Sequence, residues 1–242
     1  MKIVDIIEDK IKKIPAGHIF AYTDFDIQVE KKNTVVKTLN NFVAKGKIAK
    51  LSKGKFYKPE TGKLGKLLPT QYQVVKDLIE KDGKLIGYMT CYSVYNELLL
   101  TTQVASIIQI GTNKYRRPLK RGNYRISFVL QPNVITKTNY RLLQILDAVR
   151  FVRSIPATTA DEACRRLIQI FKELSPEEQT KIVKLALKYT DYVRALCGAI
   201  LSFNSAGESL IAILDKSLNG VTTYRLGISE KILPTKERWR II

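Results

Sequence analysis

Apolar residues recur at Ile3, Ile6, Ile7, Ile11 and Ile14, a spacing that predicts an amphipathic helix ended by Pro15-Ala16-Gly17. His18 to Tyr22 is short, β-prone and bounded by turn residues, and predicts a small strand. Thr23 or Asp24 can cap a short second helix ending before Lys31-Lys32-Asn33. In the next stretch Val35, Val36, Leu39, Phe42 and Val43 gather on one arc of a helical wheel, and Thr34, Lys37, Thr38, Asn41 and Lys45 on the opposite one. Asn33 is placed to cap that helix and Gly46 to stop it. Lys47 to Lys58 then alternates around Lys53-Gly54, which predicts two short strands and a tight turn. Helix, strand, helix, helix, hairpin is the order of a winged helix-turn-helix.

Pro59 to Lys66 is rich in turn formers and reads as a linker, placing a first domain at 1–66 and a second at 67–242. In the second, Thr70 can cap a helix to about Lys81, Asp82-Gly83 breaks it, and Tyr88 to Leu100 has helical spacing. Val104 to Gly111 and Arg125 to Gln131 are β-branched or alternating and predict strands of a small sheet. From Asn139 the pattern turns helical over Tyr140–Val152, Thr159–Leu174, Pro176–Tyr189 and Asp191–Phe203, with Ser175-Pro-Glu-Glu178 a start signal. The tail predicts a hairpin, Val221–Leu226 with Lys231–Ile242, anchored by Trp239. The fold class expected is α+β: an N-terminal winged helix followed by a larger mixed domain with a small sheet and a C-terminal helical cluster.

Composition changes the picture in one direction. The 242 residues are 45% hydrophobic, enough for two modest cores, yet carry 41 Lys+Arg against 22 Asp+Glu, a formal charge of +19. Polyanions are the partners such a charge favours. Lysine is concentrated from Lys45 to Lys66, where Glu60 is the lone acid, and no acid lies between Lys31 and Gly54. A helix entering a DNA groove needs small hydrogen-bonding and cationic side chains and no carboxylate facing phosphate. Thr34, Lys37, Thr38, Asn41 and Lys45 meet that need, and Lys50, Lys53, Lys55 and Tyr57 extend it along the hairpin. Lys114, Arg116, Arg117, Lys120, Arg121 and Arg125 form a second acid-free basic segment, with Tyr115 and Tyr124 able to stack on bases. It is either a second nucleic-acid contact or a charged hairpin tip.

Enzyme chemistry finds little support. His18 is the only histidine, and no phosphate-binding glycine loop, nucleophile elbow or metal-spaced Cys/His set occurs, so no catalytic residue, metal or cofactor is expected. Asp24-Phe-Asp26 has the spacing of a metal-binding pair but reads as a cap with an outward acid. Asp161-Glu162 and Glu177-Glu178 fall at helix N-termini, where carboxylates favour the dipole. Cys91, Cys164 and Cys197 read as reduced core thiols. No secretory signal or membrane-length apolar run is visible, so a cytoplasmic protein is expected.

Several segments resemble the AbiEi family of antitoxin transcriptional regulators of abortive-infection, type IV toxin-antitoxin operons. They are His18-Ile-Phe with Asp24-Phe25, Leu51-Ser-Lys-Gly54-Lys-Phe-Tyr57-Lys-Pro59, Val193-Arg194-Ala195-Leu196-Cys-Gly198-Ala199, and Thr222-Thr-Tyr224 with Leu233-Pro234-Thr235. Thr190-Asp191 departs from the prolyl turn of that family. The resemblance implies a winged helix that binds inverted repeats in its own promoter, as monomers or a weak dimer, and represses it. It also implies a C-terminal domain that counteracts a nucleotidyltransferase-type toxin. A nucleic-acid-associated enzyme or accessory factor, with the winged helix delivering a C-terminal activity, is the alternative.

Overall fold

The computed structural model describes residues 2–25, 27–62, 65–103 and 106–242, and is mixed α and β. The chain divides into two compact units, residues 1–78 with 119–125, and residues 79–118 with 126–242; the sequence alone places its break near residue 66.

The first unit opens with helix α1 (Ile3–Lys13), strand β1 (Ile19–Ala21) and helix α2 (Lys32–Ala44). It continues with β2 (Ala49–Ser52), β3 (Lys55–Tyr57), β4 (Glu60–Gly62), β5 (Gly65–Leu67) and α3 (Gln71–Ile79). β1, β3 and β2 make an antiparallel sheet with β3 central, Phe20 facing Phe56 across β1 and β3. Beneath it Ile7, Ile11, Val35, Leu39, Phe42 and Ile48 close one core with Phe20, Phe25 and Phe56, so the arcs read from spacing in α1 and α2 are the buried ones. α2 ends in a Schellman motif. Lys47 N–H reaches Phe42 O at 3.0 Å, Gly46 N–H reaches Val43 O at 3.0 Å, and Gly46 takes the left-handed conformation at φ +69°.

Local expectations fail here in three places. The short second helix is instead a pair of 3-10 turns, Tyr22–Phe25 and Val29–Lys31, with Asp24 Oδ2 accepting the Ala21 N–H at 2.8 Å. Asn33 lies inside α2, whose N-cap is Lys31 without a side-chain bond. The stretch Pro59–Lys66, read as linker, contributes an antiparallel hairpin in which Glu60 pairs with Leu67 and Thr61 with Lys66. Asp26, Lys63 and Leu64 lie outside the described residues.

The second unit holds β6 (Glu80–Lys81), β7 (Lys84–Leu85), β8 (Gly87–Thr90) and β9 (Ile107–Thr112). After β10 (Leu119–Arg121), which belongs to the first unit, β11 (Tyr124–Leu130) enters the second. Within it β9 lies between β8 and β11. Tyr88–Leu100, expected as a helix, is β8, a 3-10 turn at Cys91–Ser93 and further turns. Pairing with β9 decides this: Tyr88 and Thr90, two apart, both turn inward and bond one carboxylate. Val104, the expected start of the next strand, lies with Ala105 outside the described residues; β9 begins at Ile107.

Five helices follow: α4 (Tyr140–Arg150), α5 (Ala160–Lys172), α6 (Pro176–Ala186), α7 (Asp191–Phe203) and α8 (Glu208–Lys216). Residues 195–201 of α7 are all buried, so this helix is apolar around its whole circumference and forms the centre of the cluster. Ser175 and Thr159 begin α6 and α5 with reciprocal capping boxes through Glu178 and Glu162. The tail is not a hairpin. A single parallel bridge joins Tyr224 to Ile241, and Pro234–Trp239 coils as a 3-10 helix that lays the fully buried Trp239 on α7. A Cβ on Gly198 would stand 2.1 Å from two indole carbons, so α7 needs glycine where the ring lies. Its Nε1 donates to Ser202 at 3.1 Å.

Asp147 is fully buried on α4 and accepts three hydroxyls, from Tyr88 at 2.6 Å, Thr90 at 2.7 Å and Tyr189 at 2.9 Å. Gln131 orients both phenols by donating its amide to them, at 2.7 and 2.6 Å. Desolvation nevertheless holds the Asp147 carboxyl above its ordinary value, against the pull of these bonds. Cys91, Cys164 and Cys197 are buried and unpaired, and burial pushes the Cys164 thiol up to about 12. None of the described helices is long and apolar enough to cross a membrane.

Candidate nucleic-acid interface

At about 100° per residue, Thr34, Lys37, Asn41 and Lys45 fall within roughly 80° of the α2 circumference, opposite the buried Val35 and Leu39. All four are exposed. Thr38, expected beside them, is buried: it lies next to Phe42 on the wheel, and its hydroxyl is turned back to Thr34 O at 2.9 Å. It is removed from the candidate contacts.

The β2–β3 hairpin turns at Lys53-Gly54 as expected, with a register shift between Lys50 and Ser52. Lys50 and Lys53 are exposed, while Leu51 and Phe56 turn into the core. Lys55 and Tyr57 do not belong to the free surface. Lys55 Nζ is 3.0 Å from Asp77, and Tyr57 is buried at 7% exposure beside Leu68, Pro69 and Tyr124. Burial raises the Asp77 carboxyl, but the bonds from Arg121 and Lys55 outweigh it and hold the group below the usual carboxylate range.

The second basic segment is divided. Lys120, Arg121 and Arg125 fall in the first unit, and Lys114, Arg116 and Arg117 in the second. Arg121, offered as a nucleic-acid contact, is instead buried; it forks onto both Asp77 oxygens and donates to Val74 O at 2.7 Å. Arg116 lies over the Phe128 ring at 5.7 Å, and Lys114, Arg117, Lys120 and Arg125 are exposed.

Other lysines near α2 are engaged. Lys47 pairs with Glu8 at 2.6 Å and Lys32 stacks over Tyr22 at 4.7 Å. Sequence reasoning does not single out Lys66, although it closes the lysine-rich run. On β5 it is exposed, with Nζ 3.9 Å from where a Cβ on Gly46 would stand, just past the C-terminus of α2. Only the β4–β5 hairpin brings it there. Among the described residues no acid pairs with Lys37, Lys45, Lys50 or Lys53. No group of three or more His, Cys, Asp or Glu among the described residues could hold a metal. His18 is half-buried next to β1.

What this geometry defines is a unit with a three-stranded sheet in which the exposed stripe of α2, together with Lys50 and Lys53 of the β2–β3 hairpin, carries cations that no acid pairs among the described residues. The chain itself belongs to a family of unknown function, DUF6088, which matches residues 6–182. No curated protein matches it. A solved structure, that of the Rv2827c protein from Mycobacterium tuberculosis, is similar at 13% identity with a TM-score of 0.54, covering 91% of this chain and 83% of that one. At that identity the likeness concerns the fold alone.

Proposed function

We propose that the first unit is a winged helix that binds double-stranded DNA, with α2 in the major groove and the β2–β3 hairpin as the wing on the flanking backbone. The carrying observation is the exposed stripe Thr34, Lys37, Asn41 and Lys45, continued by Lys50 and Lys53 without an intervening acid. Asn41 supplies a carboxamide able to bond an adenine edge, and Lys37 a donor for guanine; Lys45, Lys50, Lys53 and Lys66 supply phosphate contacts. Autorepression at promoter repeats and antagonism of a nucleotidyltransferase-type toxin extend this reading through the resemblance in Val193–Ala199 and the tail.

Footprinting on the DNA upstream of its own gene tests the head. A protected inverted repeat is expected, and Asn41→Ala should lower the preference for it over scrambled duplex by about 1–3 kcal/mol. Equal losses on both duplexes would remove base reading from α2. Co-expression with an adjacent nucleotidyltransferase tests the toxin part: growth rescued by the chain supports it, and toxicity unchanged refutes it.

A further inference from the structure

The second unit carries an arginine-lined cleft of about 640 Å³ that the DNA-binding reading does not use. Arg150 ends α4, Arg153 sits in the following 3-10 turn (Val152–Ser154), and Arg225 comes from the tail next to Tyr224. Tyr192 of α7 and the apolar Val152 and Leu226 complete the walls, and no acid lines the space.

These arginines differ from three others in the same unit. Arg166, Arg194 and Arg240 pair with Glu173, Asp191 and Asp215. Arg150, Arg153 and Arg225 have no ion pair among the described residues. They are positioned all the same. Arg150 stacks over Phe151 at 5.2 Å and donates to Leu130 O at 3.3 Å; Arg153 donates to Arg225 O at 3.1 Å; and the Tyr192 hydroxyl donates to Arg150 O at 3.0 Å. Each guanidinium keeps free N–H groups, since it carries five donors. A helix C-terminus by itself attracts a cation, which accounts for Arg150 but not for Arg225, which arrives from a separate segment.

We propose that this cleft binds a nucleoside phosphate. Forked guanidiniums match phosphate oxygens, which gives the charged end of the ligand. The volume is far larger than a phosphate ion and lies in the range of small-molecule sites, and the half-buried Tyr192 ring on the cleft wall offers an aromatic face for a base. A volume of this size accommodates a single nucleotide, and the ligand proposed here is a mononucleotide, distinct from the DNA assigned to the first unit.

The test is isothermal titration of the full chain with ADP and, separately, inorganic phosphate, followed by competition with a 20-base-pair duplex. ADP is expected to bind, with phosphate at least tenfold weaker. Arg153→Ala and Arg225→Ala, both at exposed positions, should each weaken ADP at least tenfold while leaving the unfolding midpoint in place. Lys53→Ala should leave ADP binding unchanged. No ADP binding by the wild-type chain, or equal binding by the Arg153/Arg225 double variant, would overturn the assignment. Displacement of ADP from the wild-type chain by duplex at matched phosphate concentration would also overturn it, by making the cleft part of a polynucleotide surface.

Discussion

Two lysines two residues apart in one hairpin should behave oppositely on DNA. Lys53 stands exposed at the tip; Lys55 is half-buried with Nζ 3.0 Å from Asp77. If Lys45, Lys50, Lys53 and Lys66 each neutralise one phosphate, the slope of log K against log salt is roughly −3.6, at about −0.9 per contact. Affinity then falls about 150-fold between 50 and 200 mM salt. Lys53→Ala should reduce the slope to roughly −2.7 and the loss to about 40-fold. Lys55→Ala should leave the slope where it was, because the Lys55 charge is engaged by a carboxylate and releases no counterion on binding. Fluorescence anisotropy of a labelled duplex across that salt range measures both. Equal reductions in the two variants would refute the division of the hairpin into free and engaged cations. An unchanged slope in Lys53→Ala would remove the hairpin from the interface.

Other outcomes follow from packing and charge. Gly198→Ala puts a methyl 2.1 Å from indole carbons of a ring that is fully buried and tethered to Ser202, so it should cost about 3 kcal/mol or more, read by urea unfolding through the single tryptophan. Asp147→Asn sets an amide N–H₂ against hydroxyls already oriented as donors and should cost about 1–3 kcal/mol. Because the folded Asp147 carboxyl lies above its unfolded value, its share of stability is full below the unfolded value and lost as pH rises through the folded one. The gap between wild type and Asp147→Asn should therefore narrow with rising pH; a gap widening with pH would refute the buried-carboxyl assignment. Asp77 has the opposite sign: held low by Arg121 and Lys55, it contributes above its unfolded value and loses that contribution as pH falls through the depressed one. Wild type should lose stability on acidification more steeply than Asp77→Asn.

Much of the first unit was legible in the chain itself. The periodicity of Val35, Leu39 and Phe42, the stop at Gly46 and the Lys53-Gly54 turn each express a local rule, and local rules need no partner to operate. Ser175 and Thr159 began their helices where sequence placed them for the same reason. Tyr88–Leu100 fits helical spacing, but pairing with β9 extends Tyr88–Thr90, and the rest of the stretch forms turns. Charge was legible as a total and not as an arrangement. The run from Lys45 to Lys66 shows where lysines lie, but Asp77 on α3 decides that Lys55 and Arg121 are engaged, and the β4–β5 hairpin decides that Lys66 stands beside the end of α2. The convergence of Arg150, Arg153 and Arg225 is likewise invisible in sequence, since the last is separated from the others by four helices. Periodicity and capping act over a few residues and are written in order along the chain, whereas ion pairing and clefts depend on distances that exist only once remote segments have packed.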